Sequence, residues 1–155
     1  MNITSTYNGR DLDSVPIYFW FVAFPAQTSG SQPWYLRALN PRWRHCLVLR
    51  RHGDDQVLIA EHLGNQTRIE AQPRSLGDAV RDLQHRHAAL VLLVEAHHGK
   101  PRAMMRGPMT CVEFVKAILG IRRPWIVTPH QLYRYLRSTG ASHVFPTAAM
   151  HKTGA

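Results

Sequence analysis

The run Pro108-Met109-Thr110-Cys111-Val112-Glu113-Phe114-Val115-Lys116-Ala117-Ile118-Leu119-Gly120 is a helix with its start and stop written into it. Thr110 is a good N-cap, and Glu113 three residues later completes the pattern of a capping box. Val112, Val115 and Leu119, with Phe114 and Ile118 beside them, supply a broad apolar face at helical spacing. Gly120 is the expected stop, because the residue after a helix commonly turns left-handed. Cys111 then falls on the first helical position. There the unpaired backbone N–H groups and the positive end of the helix dipole favour a thiolate. A nucleophilic cysteine belongs at such a position.

The rest of the chain supplies a sheet for this helix to pack on. Pro16 to Pro25 is an aromatic-rich apolar run, far shorter than the ~20 residues a membrane helix needs, and it predicts a buried strand whose Tyr18-Phe19-Trp20-Phe21 aromatics are core. Ala26 to Gln32 predicts a loop, and Trp34 to Leu39 a short helix after Pro33. Arg42 to Arg50 and Gln56 to Leu63 predict a hairpin around His52-Gly53-Asp54-Asp55. If the turn centres on Gly53-Asp54, His45 lies opposite His62; a one-residue slip or a bulge brings Glu61 to that side instead. Gly64 to Thr67 predicts a turn and Arg68 to Ala71 a third strand. A helix capped by Ser75 runs to Leu83, and Ala88 to Glu95 is a continuous apolar run expected as a central strand. His97 to Gly107 predicts a basic loop, Pro124 to Val127 a short extended piece, and Thr128 to Leu136 a helix with Pro129 at its first position. Residues 1–137 are expected to form a single α+β domain. The tail from Ser138 (138–155) is expected to be flexible or to dock on a partner.

Reactivity at Cys111 requires a base or an electropositive neighbour, and donors for an oxyanion. Of the 10 histidines, His45 is best placed, mid-strand and flanked by apolar residues, with Glu61 and His62 returning on the next strand as candidates to orient it. Cys46 is expected to point to the opposite face and to be core. His85, His87, His97 and His98 read as a solvated face rather than a metal site, since no carboxylate or cysteine spacing accompanies them. No cofactor or metal is expected.

The segment Arg-His-Cys-Leu-Val-Leu, a hairpin, then Thr-Cys-Val-Glu-Phe-Val-Lys-Ala-Ile-Leu-Gly-Ile resembles the circularly permuted papain-like hydrolases. These include relatives of the NlpC-type cell-wall peptidases and of lecithin retinol acyltransferase, with a greater likeness to small proteins of tailed phages and prophages. In that family the histidine strand precedes the cysteine helix, and a Thr-Pro-x-x-Leu-Tyr helix follows, here Thr128 to Tyr133. The resemblance covers Trp34 to Leu136. It implies a papain-like fold with an antiparallel sheet packed on the nucleophile helix, Cys111 as nucleophile, His45 as base, and Glu61 or His62 as third member, with the lean to Glu61. It also implies cleavage of an amide, most plausibly a peptide bond in peptidoglycan, with or without a place in a phage tail or virion.

Composition bears on partners. The net charge of +9 favours an anionic polymer such as peptidoglycan. Other phage tail or virion proteins are the second class of partner, for a papain-like scaffold with little or no activity. A basic nucleic-acid-binding module using Arg102, Arg106, Arg122 and Arg123 ranks last, because these arginines are dispersed and no nucleic-acid motif accompanies them. Two cysteines do not make a disulfide framework, so a reducing compartment, or indifference to compartment, is the simpler expectation. The N-terminus lacks the layout of a secretory signal, no run is long enough to span a membrane, and synthesis in the cytoplasm, with assembly into a virion, is what the resemblance implies.

Overall fold

The computed structural model describes residues 6–7, 10–26, 40–95 and 109–145. These form an α+β fold built on one antiparallel sheet. The strands are β1 (Thr6–Tyr7), β2 (Arg10–Asp11), β3 (Phe19–Phe24), β4 (Leu47–Arg51), β5 (Val57–Leu63), β6 (Gln66–Gln72), β7 (Leu90–Glu95) and β8 (Ser142–His143). The helices are α1 (Leu76–His87), α2 (Cys111–Leu119) and α3 (Pro129–Ser138). β1 and β2 pair as a small ribbon, while the main sheet has the order β6-β5-β4-β3-β7-β8. Every pairing in it is antiparallel.

Alternation along the central strands divides the interior in two. Val22, Phe24, Val48, Ala60, Leu92 and Val94 point to one face, where Val112, Val115 and Leu119 of α2 and Leu132 and Leu136 of α3 cover them. Phe21, Ala23, Leu47, Leu49, Val57, Val91 and Leu93 point to the other, against Leu76, Ala79 and Val80 of α1 and against Leu12 and Val15. A strand buried on both faces must be apolar at consecutive positions, which is why β3 and β7 read as unbroken runs.

Several boundaries differ from the sequence reading, each for a local reason. Pro16 to Tyr18 form a turn ahead of β3, so Ile17 and Tyr18 are exposed, Phe19 and Trp20 are half-buried, and of that quartet only Phe21 is fully core. The strand expected from Arg42 begins at Leu47, because Asn40 caps a single 3-10 turn over Pro41–Trp43, its side-chain oxygen accepting from the Arg42 N–H at 3.1 Å. The turn expected over Gly64 to Thr67 is only Gly64-Asn65, with Gly64 at φ +64°, so β6 starts at Gln66 and outruns the expected third strand. α1 runs a full turn past Leu83 and stops where Ala88 turns left-handed, so β7 begins at Leu90. The tail does not leave the domain at 137. Ala141 and Val144 are buried, β8 pairs with β7, and the Gln84 amide donates to the Val144 carbonyl at 2.7 Å. The loop after Ala26, the helix expected at Trp34 to Leu39, the loop from His97 to Gly107 and the chain beyond Phe145 lie outside the described residues.

α2 and α3 are held as a pair by a charged residue that lies on the apolar stripe of α2. Lys116 is fully buried, and its Nζ donates to the Ile126 carbonyl at 2.9 Å and to the Glu113 carboxylate. This ties α2 to the segment that leads into α3. It also alters the start of α2: Thr110 Oγ1 accepts from the Glu113 N–H at 3.2 Å, but the Glu113 carboxylate turns to Lys116. The reciprocal capping box appears instead at α3, between Thr128 and Gln131. Among the described residues no helix is long and apolar enough to cross a membrane.

Candidate active site

The site is assembled where the first turn of α2 meets the entry to β4 and the end of β5. Cys111 is the first residue of α2 after its Thr110 cap, and it is half-buried. The N–H groups of residues 113 and 114 bond to Thr110. Those of Cys111 and Val112 have no acceptor within the helix and are available to an anion beside the sulfur.

The position of His45 follows from the hairpin register. Leu47 pairs with Glu61 and Arg51 with Val57, so the turn is centred on Asp54 rather than between Gly53 and Asp54. The connection holds five residues, closed by the His52 N–H donating to the Gln56 carbonyl at 2.8 Å, with Gly53 at φ +73°. That odd count is the one-residue slip that gives Glu61, opposite Leu47, the parity of His45 in place of His62. His45 Nε2 donates to Glu61 Oε2 at 3.2 Å, and Arg68 flanks the other carboxylate oxygen at 3.7 Å. With Nε2 committed to the carboxylate, Nδ1 is the ring nitrogen left for the Cys111 sulfur, whose charge His45 supports.

His62 is as buried as His45, at 8% exposure each, but it faces a different task. Its Nε2 donates to the Gly64 carbonyl and its Nδ1 accepts from the Thr67 hydroxyl, both at 3.0 Å. Both ring nitrogens are thereby used to close the β5–β6 turn, and the ring leans on Phe114 of α2. His62 braces the turn, and Glu61 is the residue that meets His45.

Cys46 is core, as expected: it is fully buried and lies on the α2 side of the sheet with Val48, where alternation puts it, beside Cys111. His45 is the residue that leaves the alternation: it precedes the regular strand and turns from the Leu47 side toward Cys111, so His45 and Cys46 both bear on the same sulfur. Their proximity in sequence was the available signal for this contact.

These contacts set the charges. The Cys46 thiol donating to Cys111 is the largest influence holding the Cys111 thiol down; burial opposes it, and the hydrogen bond and positive charge of His45 and the Cys46 N–H reinforce it. The Cys111 pKa falls to about 4. Burial works against charge on His45, but its bonds to Cys111 and Glu61 and their negative charges prevail, raising its pKa to about 9. The bond to His45 keeps Glu61 below the usual carboxylate range against the effect of burial, with further help from the charges of His45 and Arg68. Burial, together with the negative sulfur next to it, pushes Cys46 well above an ordinary thiol. These shifts, opposite in direction, favour a thiolate at Cys111 beside an imidazolium at His45.

A cavity of about 240 Å³ lined by Val94, Leu119, Ile121, Tyr135, Leu136 and Ala141 lies at the opposite end of α2. Eight residues of helix put it roughly 12 Å from Cys111, so it is separate from the cluster around that sulfur. Among the described residues no three His, Cys, Asp or Glu side chains gather where they could hold a metal ion. Arg122 and Arg123 are exposed, with Arg123 stacked over Trp125 at 5.2 Å; Arg102 and Arg106 lie outside the described residues.

Fold and site together define an α+β protein carrying a cysteine, a histidine and a carboxylate in series at a helix N-terminus. Compared with models of known families, with curated proteins and with solved structures, the chain matches none.

Proposed function

We propose that this chain is a papain-like cysteine hydrolase that cleaves an amide bond through an acyl-enzyme on Cys111. The observation that carries the reading is His45 held between the Glu61 carboxylate and the Cys111 sulfur. The Cys111 thiolate attacks the carbonyl carbon, and the oxyanion that forms is met by the Cys111 and Val112 N–H groups at the head of α2. The protonated His45 delivers its proton to the departing amine nitrogen, leaving a thioester. Neutral His45 then takes a proton from water, whose oxygen displaces the sulfur and restores the thiolate. Glu61 keeps the ring oriented and favours its charged form.

The substrate we propose is a peptide bond in peptidoglycan, because a net charge of +9 suits an anionic wall polymer. The order of the site residues along the chain, His45 and Glu61 before Cys111, agrees with the permuted papain-like resemblance. Purified peptidoglycan or its stem-peptide fragments, incubated with the full chain, should release new amino groups, and Cys111→Ala should abolish the release. Wild type and Cys111→Ala giving the same products would refute the reading.

A second reading takes the fold as an assembly component of a phage tail or virion. It draws on the exposed Trp125, Val127 and Phe145, each 59–69% accessible, which exceed what a catalytic surface requires. A thiolate at Cys111 without turnover of any amide would favour it.

A further inference from the structure

Cys46 has no part in the hydrolytic cycle, although it touches the nucleophile. Cys111 packs against the buried cluster that contains Cys46, the thiol and backbone N–H of Cys46 both bear on the charge of the Cys111 sulfur, and neither cysteine is in a disulfide. The two differ sharply in access. Cys46 is sealed at 0% exposure among Val48, Val112 and Val115, so the Cys111 sulfur is the thiol partner it faces from inside the fold. Cys111 is half-buried and is the one a dissolved oxidant can reach.

We propose that Cys111 and Cys46 form a peroxide-responsive redox site, in which Cys46 resolves oxidised Cys111 into an intramolecular disulfide. In the first step the Cys111 thiolate attacks the outer oxygen of a hydroperoxide. The O–O bond breaks, the sulfur gains the hydroxyl as a sulfenic acid, and the departing alkoxide or hydroxide takes a proton from solvent. In the second, the Cys46 sulfur attacks the Cys111 sulfur. The S–O bond breaks, and the leaving hydroxide carries away the Cys46 proton as water. Two thiols have lost two electrons and the peroxide has gained them. The sulfurs must close to about 2.05 Å, a movement between side chains packed in one cluster. The disulfide removes the nucleophile reversibly and stops its oxidation before the irreversible sulfinic stage. A cysteine in plain hydrocarbon would leave Cys111 to climb that ladder.

The test reads mass rather than turnover, so it stands apart from the hydrolase reading. The full chain is treated with a small excess of hydrogen peroxide, and intact mass and peptide maps are taken without reductant. Wild type should lose two hydrogens, yield one linked pair of peptides containing residues 46 and 111, and recover iodoacetamide-reactive Cys111 on adding dithiothreitol. Cys46→Ser should instead add two and then three oxygens at Cys111, with no recovery. Cys46→Ala serves if the serine variant loses its circular dichroism, and the wild-type peptide map decides by itself if both do. Sulfinic acid accumulating at Cys111 as fast in wild type as in the variant, or links only between separate chains, would overturn the proposal.

Discussion

The two faces of the sheet are built from the same strands and differ in what they bury. On the α1 side the fully buried side chains are hydrocarbon, from Phe21 and Leu49 to Leu76 and Val80. On the α2 side the same strands meet Cys46, the buried Lys116, the ring of His62 against Phe114, and the sulfur of Cys111. Burying polar groups costs free energy unless each is satisfied, and here each has a partner: Lys116 two acceptors, His62 both nitrogens, Cys111 an imidazolium and a thiol. One face supplies cohesion. The other gives up part of that cohesion to hold charge at one helix end.

The sharpest way to break this contrast is a pair of substitutions read by two measurements. Phe21→Ala, on the α1 side, should cost about 3–5 kcal/mol of stability in urea unfolding, and the protein that remains folded should alkylate at Cys111 as wild type does. His45→Ala should cost less stability, yet slow alkylation at pH 6, by about tenfold for each unit by which the thiol pKa rises beyond that pH. Equal effects of both on reactivity would mean that the faces are not distinct.

Lys116→Met tests whether the buried lysine is structural. It leaves the Ile126 carbonyl without its donor, which should cost about 1–3 kcal/mol in thermal or urea unfolding. The freed Glu113 carboxylate, partly open to solvent, can then return to cap Thr110. Alkylation at Cys111 should stay close to wild type.

The smallest expected effects separate the two neighbours on β5. Glu61→Gln should slow alkylation and turnover by about tenfold, because the imidazolium loses its carboxylate. His62→Gln should cost about 1 kcal/mol through the β5–β6 turn and leave Cys111 unaltered. The reverse ranking would return the third position to His62.

What could be read in the chain and what could not follows from how far each signal reaches. The start of α2 was legible because Thr110, Cys111 and Gly120 act within a turn or two of themselves, and the helix stands as Cys111–Leu119. The His45–Glu61 contact hung on the parity of a loop: His-Gly-Asp-Asp marks a turn, but it does not say whether the connection holds an even or odd number of residues. Lys116 was missed although its position held the signal, since residues 112, 115, 116 and 119 lie on one helical stripe. Cys46 was read correctly as core, but His45 was expected to face away from it, and ahead of Leu47, where the regular strand begins, His45 turns to the same side. Pairing of the segment after Ser138 with β7 is a long-range event with no local mark in so short and polar a sequence.

The account turns on the protonation of one sulfur. Iodoacetamide labelling of Cys111 from pH 3 to 10, followed peptide by peptide, measures it directly. Cys111 is deprotonated above its lowered pKa, so its labelling should rise through about pH 4 and hold level to near pH 9, where His45 loses its proton. The sealed Cys46 should stay unlabelled throughout. A single rise near pH 8.5, the value of a free thiol, would contradict the account.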